Sequence, residues 1–354
     1  MTGRTQELAQ LTGARGIAAW AIVLYHLRLS IDGLPASAVA VLAKGYLAVD
    51  FFFLLSGFVI WLAWHDRVAG ETWRFWQKRF ARIWPLHAAM LLFAVALALA
   101  LAIRGNPDRA FPWAELPLHL LLVQQWGTTT ALHWNDPAWS ISAEAGAYLL
   151  FPLLIRCVDW RRWSAPMLVV ACAGVLAILP LTMGLGTLGQ DIPRFGLLRC
   201  LVEFTAGTIV AALYQRSGEV RAPLLLGMGL LAAVLAGMPE TFVVPAAFAA
   251  LLLALARART PLLASRPVHW LGEISYATYL SHFLLWKALK LLLPAGPQPP
   301  AVIALYLLLV LVASHLLYRW LELPGQRWLN ARPLPGRNEA TPRALPGHED
   351  RLLR

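Results

Sequence analysis

In the segment RGIAAWAIVLYH, Arg15 and His26 stand eleven residues apart in an otherwise apolar run. Eleven residues advance a helix by roughly 16 Å and return nearly to the same face at about 100° per residue. The cation and the imidazole therefore share one stripe at two depths. Other ionisable residues interrupt later apolar runs: Asp50, Glu144, and the pair Arg199 and Glu203. Such groups are costly in hydrocarbon and gather in protected cavities that have a function. With an unperturbed pKa of about 6.5, an imidazole suits taking a proton from a hydroxyl. A carboxylate such as Glu144 or Asp50 can fix its tautomer and stabilise the imidazolium. The imidazole can also act as a covalent nucleophile, and the same groups can relay protons in a transporter. Arg199 and Glu203, at i and i+4, also describe an ion pair that neutralises itself.

The elements that position these residues follow from composition. Of 354 residues, 59% are hydrophobic and 14% charged, against about 25% charged in soluble domains. The chain reads as an all-α polytopic membrane protein. Its net charge of +11 lies in short clusters between apolar runs, which argues against nucleic acid as a partner and for the lipid bilayer. Cys157, Cys172 and Cys200 lack metal-ligand or disulfide spacing, so no metal site is expected. No small-residue cleavage site follows the first apolar run, which is expected to persist as the first span.

Runs long enough to cross about 30 Å of hydrocarbon lie near 13–31, 45–64, 84–103, 139–157, 165–184, 196–214, 222–238, 240–256, 271–293 and 301–320. About ten transmembrane helices are thus predicted. The run 116–126 is too short to span and reads as an interfacial or re-entrant segment. Residues 1–332 form one transmembrane domain, and 333–354, rich in Pro, Arg and Gly, are expected to be a disordered tail. Arginine clusters at 67–82, 156–162, 216–221 and 257–266 alternate with loops poor in Lys and Arg. Under the positive-inside rule both termini are cytoplasmic. His26, Asp50, Glu144, Arg199 and Glu203 then fall in the outer half, and the topology predicts one polar pocket built from them.

The blocks RGIAAWAIVLYH, GYLAVDFFFLLSGFVI, KRFARIWPLH, NDPAWSISAE, VEFTAGTIVA, LGEISYATYLSH and LELP occur in this order over residues 10–330. This order resembles the membrane-embedded family 3 acyltransferases of bacteria, which O-acylate cell-surface and secreted carbohydrates. The resemblance implies an enzyme of the cytoplasmic (inner) membrane that moves an acyl group, acetyl above all, from acyl-CoA to a hydroxyl of a carbohydrate or glycolipid. No bound cofactor is implied; acyl-CoA is a co-substrate. The resemblance makes His26 catalytic, matches Glu144 to the family's glutamate and Arg15 to its arginine, and assigns Arg79 and Arg82 to the acyl donor; Arg15, at the cytoplasmic end of the first span, is expected to mark where that donor enters. Two departures stand out. Ala145, Gly146 and Ala147 replace a second acid and an aromatic, and the block ending at His282 reads Tyr-Leu-Ser-His where relatives have Tyr-Leu-Trp-His. An extracytoplasmic esterase-like domain, fused in many relatives, is not expected here.

The basic cluster around Arg79 and Arg82 also fits ordinary positive-inside sequence facing anionic lipid, whereas arginine suits bidentate phosphate contacts. Ser56 and Gly57 either permit close helix packing or leave room for the donor's arm. Two other readings stay open, a proton-coupled transporter and an inactive partner of a polysaccharide assembly system. Against the first stands the absence of paired inverted repeats; against the second, the retention of Arg15, His26 and Glu144.

Overall fold

Apolar runs of this length satisfy their backbone groups internally only as helices, and in the computed structural model the regular elements of the described residues are helices joined by turns and loops. It describes residues 2–332 except 106, 217, 219 and 259, with side chains from Ala9 onward; the tail predicted for 333–354 lies outside the described residues. Each expected span is a helix. We label them α1 (Thr2–Leu27), α2 (Ala48–Trp64), α3 (Thr72–Ile103), α4 (Ala138–Cys157), α5 (Ala165–Met183), α6 (Ile192–Tyr214), α7 (Arg221–Leu235), α8 (Glu240–Arg257), α9 (Ser275–Lys290) and α10 (Pro300–Leu317).

Among the described residues, seven helical stretches are long and apolar enough to cross a membrane; they contain α2 to α6, α8 and α10. The other three are α1, which carries polar residues in its first turns, α7 with 15 residues and α9 with 16. For α9 the reason is visible. Ser275, Thr278, Tyr279, Ser281 and His282 are all buried in it, so neighbouring helices, not lipid, surround its polar groups.

At the centre, α2 packs closely on α6. A Cβ on Gly57 would stand 1.9 Å from the Phe204 carbonyl oxygen, and one on Gly207 would stand 2.0 Å from that of Leu54. The two backbones touch, as small residues permit. Close packing is thus what Gly57 does. Against this core α1 packs on the short helix Arg266–Glu273 and on α9, and α10 covers the other side of α9. Helices α7 and α8 form the expected hairpin.

One end of the bundle gathers the arginine-rich loops. Arg156 reaches Ala69 O and Thr72 Oγ1, Arg161 pairs with Asp66, and Arg257 donates to the carbonyls of Leu213 and Arg216. At the opposite end Lys287 pairs with Asp108 at 2.8 Å, and Lys44 with Glu240 at 2.6 Å. The segment 116–126 contains the short helix Leu116–Leu120, then folds inward with His119, Gln124 and Gln125 buried. Its non-helical backbone is satisfied by α4: Ser142 Oγ donates to the Leu122 carbonyl at 2.8 Å and accepts from Gln125 N at 3.1 Å.

Candidate active site

A cavity of about 140 Å³ opens among α1, α2, α3, α4 and α9. Arg15, Arg79 and Arg82 line it together with Ser56 and Glu144. Tyr148, Tyr276 and Tyr279 complete its polar wall; Val49, Phe52 and Phe53 supply apolar surface. Arg79 and Arg82 stand three residues apart on α3 and so face the same side of that helix.

The three guanidiniums are held differently. Arg82 donates to Glu322, which a π-helical turn at Tyr318–Glu322 brings inward, and its guanidinium lies 5.3 Å from the Tyr276 ring centroid. Arg15 lies within electrostatic range of Arg82, Glu322 and Glu144. Arg79 is buried, its Nε has no hydrogen-bond partner among the described residues, and its guanidinium sits 5.9 Å from the Tyr148 ring. Tyr148 donates its hydroxyl proton to Glu144 at 2.5 Å, so Ser56 Oγ, 3.1 Å away, donates to the Tyr148 oxygen. Three cations thus face two carboxylates, Glu144 and Glu322. The balance favours an anionic guest.

The single polar pocket predicted from depth is divided in three. Only Glu144 of its five residues lines the cavity, with Ser56 beside it. Asp50, Arg199 and Glu203 form a packed cluster between α2 and α6. Both Asp50 oxygens accept from Arg199, and Arg199 Nη1 donates to the Leu188 carbonyl at 2.9 Å. Glu203 is fully buried against Asp50. Arg199 therefore pairs across the helix interface with Asp50, not along its own helix with Glu203. The next link is Leu188 N, which donates to Glu240 at 3.0 Å; Glu240 is held in turn by Lys44 and Tyr46. Equal depth did not mean adjacency, because these groups face the α2–α6 seam whereas Glu144 faces the cavity.

His26 and His282 form the third group. His282 Nε2 is 3.1 Å from His26 Nδ1, and the ring centroids are 5.0 Å apart. Neither lines the cavity. Tyr279 links the two places: it lines the cavity, and its ring centroid is 6.3 Å from that of His282. Among the described residues neither Asp50 nor Glu144 is hydrogen-bonded to His26. The residues that escaped sequence reasoning are Tyr148, Tyr276, Tyr279 and Glu322. Two had readable signals: Tyr148 follows Glu144 by one helical turn, and Glu322 is the acid of LELP.

The family model described as "Acyltransferase domain" matches residues 8–319. A protein named acyltransferase MdmB, from Streptomyces mycarofaciens, is 33% identical over an alignment covering 96% of this chain and 98% of that protein. The peptidoglycan O-acetyltransferase OatA of Listeria monocytogenes is 24% identical over 77% of this chain and 48% of its own length. The O-acetyltransferase OatA of Staphylococcus aureus is 23% identical over 90% and 57%. The chain therefore spans about half the length of the OatA proteins and nearly all of MdmB. No solved structure matches.

Proposed function

This chain belongs to the acyltransferase-domain family and is an acyltransferase, and from that membership we propose that it is an O-acyltransferase of the cytoplasmic membrane. It takes an acyl group, in the first instance acetyl, from acyl-CoA and delivers it to a hydroxyl of a carbohydrate or glycolipid. The acceptor class rests on the OatA relatives, one of which is named a peptidoglycan O-acetyltransferase. The donor rests on one observation, the meeting of Arg15, Arg79 and Arg82 in a cavity with an apolar wall. Guanidiniums suit the phosphates of a nucleotide thioester; Val49, Phe52 and Phe53 suit its acyl-pantetheine arm. The arginine-rich end, in this reading, faces the cytoplasm, where acyl-CoA is made.

His26 acts as the base. The acceptor oxygen attacks the thioester carbonyl carbon while His26 takes the hydroxyl proton. The C–S bond then breaks, and the imidazolium returns that proton to the departing thiolate, leaving an ester and free CoA thiol. Arg15 marks the donor's entrance and His26, roughly 16 Å along the same helix, the acceptor's. Glu144, fixed by Tyr148, which Ser56 holds in turn, belongs in this reading to the donor cavity and orients the arm; Asp50 and Arg199 hold the α2–α6 seam.

The test is acyl transfer in membranes with and without this chain, supplied with acetyl-labelled CoA. Label in alkali-labile esters of the carbohydrate or glycolipid fraction, only with the chain present, is the expected result. Equal label in both membranes would contradict the reading.

A further inference from the structure

We propose that His282 is a positioning residue that, as a second acceptor beside the Ile22 carbonyl, holds the hydrogen of His26 on Nδ1 and so keeps the reactive lone pair on His26 Nε2. The inference rests on the reading of His26 as the base. Both histidines fold back on their own helices: His26 Nδ1 lies 3.0 Å from Ile22 O, and His282 Nδ1 lies 3.0 Å from Thr278 O. A carbonyl only accepts, so in each ring Nδ1 carries the hydrogen. A neutral imidazole has one N–H, which leaves the lone pair of each ring on Nε2. His282 is 1% exposed, and a charged ring there would lack a counter-charge.

The two rings then interlock. His282 Nε2, an acceptor, faces His26 Nδ1–H at 3.1 Å, and that hydrogen is shared between Ile22 O and His282 Nε2. In the opposite tautomer, His26 would turn a lone pair toward a carbonyl and a second lone pair. Nε2 of His26 is the remaining ring nitrogen, and no partner holds it among the described residues. His26 is half-buried, so this nitrogen is where an acceptor hydroxyl meets the ring.

His282 is itself braced. Its carbonyl accepts from Tyr306 at 2.6 Å, and Tyr306 is buried on α10. The carboxylates that would fill this role in a hydrolase triad are occupied elsewhere, Asp50 by Arg199 and Glu144 by Tyr148. When His26 gains a proton at Nε2, its Nδ1–H becomes a charged donor and its bond to His282 strengthens. The proton goes no further along this path, because the far nitrogen of His282 already donates to Thr278 O. It leaves by the nitrogen it entered, which suits a base that must return it to the departing thiolate.

The experiment combines nitrogen-15 NMR of histidine-labelled full-length chain with kinetics of His282→Ala and His282→Gln. The His26 signal is assigned by its loss in His26→Gln. In the wild type it should report a protonated Nδ1 and an unprotonated Nε2; in His282→Ala, where only the Ile22 carbonyl still accepts from Nδ1, a measurable share of the opposite tautomer. Turnover should fall about 10- to 100-fold in His282→Ala with the acyl-CoA KM unchanged, and His282→Gln, whose amide oxygen can accept, should recover most of it. A wild-type His26 protonated at Nε2 overturns the proposal even if His26→Gln is inactive. Equal losses in both His282 variants with the His26 tautomer unchanged would assign His282 to packing and also overturn it. Retained transfer in His26→Gln would instead sink the base reading on which the proposal stands.

Discussion

Arg199 grips Asp50 through two hydrogen bonds of 2.6 Å, Nε to one carboxylate oxygen and Nη2 to the other, across the seam between α2 and α6. Both side chains are buried, at 2% and 0% exposure. Removing one partner leaves the other as an uncompensated buried charge, which costs about 3–5 kcal/mol. Arg199→Gln and Asp50→Asn should each lower thermal stability in detergent sharply, and the double variant should be less destabilised than the sum of the two. Additive losses would show that the pair contributes no coupling.

Arg79 is the buried guanidinium of the cavity with no carboxylate paired to it among the described residues. In the proposed reading its charge meets a donor phosphate, and a hydrogen bond to a charged group contributes about 1.5–3 kcal/mol. Arg79→Gln should therefore raise the KM for acyl-CoA about 10- to 100-fold with a much smaller change in kcat. Steady-state kinetics at saturating acceptor check this; a loss confined to kcat would move Arg79 from donor binding to the chemical step.

The loop that leads into α4 carries a pH-sensitive carboxyl. Burial pushes Asp136 up to about 6, against the opposing pull of Lys287 and His133 and with a smaller push from Asp108. Its folded-state value thus lies above its unfolded one, so the folded chain binds the extra proton between about pH 4 and pH 6. Stability from this group is present below that window and is lost as pH rises through it. Asp136→Asn should melt above the wild type at pH 7–8, and the difference should vanish below about pH 4. A difference independent of pH would contradict this account.

The helices were legible because hydrocarbon thickness and run length are both linear quantities that a sequence states directly. Helix α9 shows where that reading weakens: Ser275, Tyr279 and His282 lower its apolarity, and only its burial explains why it persists. Within the site, depth and helix face could be counted from Arg15 to His26, whereas neighbours across helices could not. Residues 50 and 199, or 26 and 282, meet only after the helices pack, and nothing in local spacing distinguishes Asp50 from Glu203 as the partner of Arg199. Glu144 with Tyr148 is the exception, since both lie on one helix a turn apart.

In the proposed reaction the arginine cavity and His26 divide the labour, the cavity holding the donor and His26 performing proton transfer. This division is tested most directly by measuring acetyl-CoA binding and acyl transfer side by side in purified wild type and His26→Ala. The variant should keep near wild-type donor affinity and lose transfer at least about 100-fold, within the range of general acid–base catalysis of about 10²–10⁴. Undiminished transfer by His26→Ala, with binding intact, would contradict it.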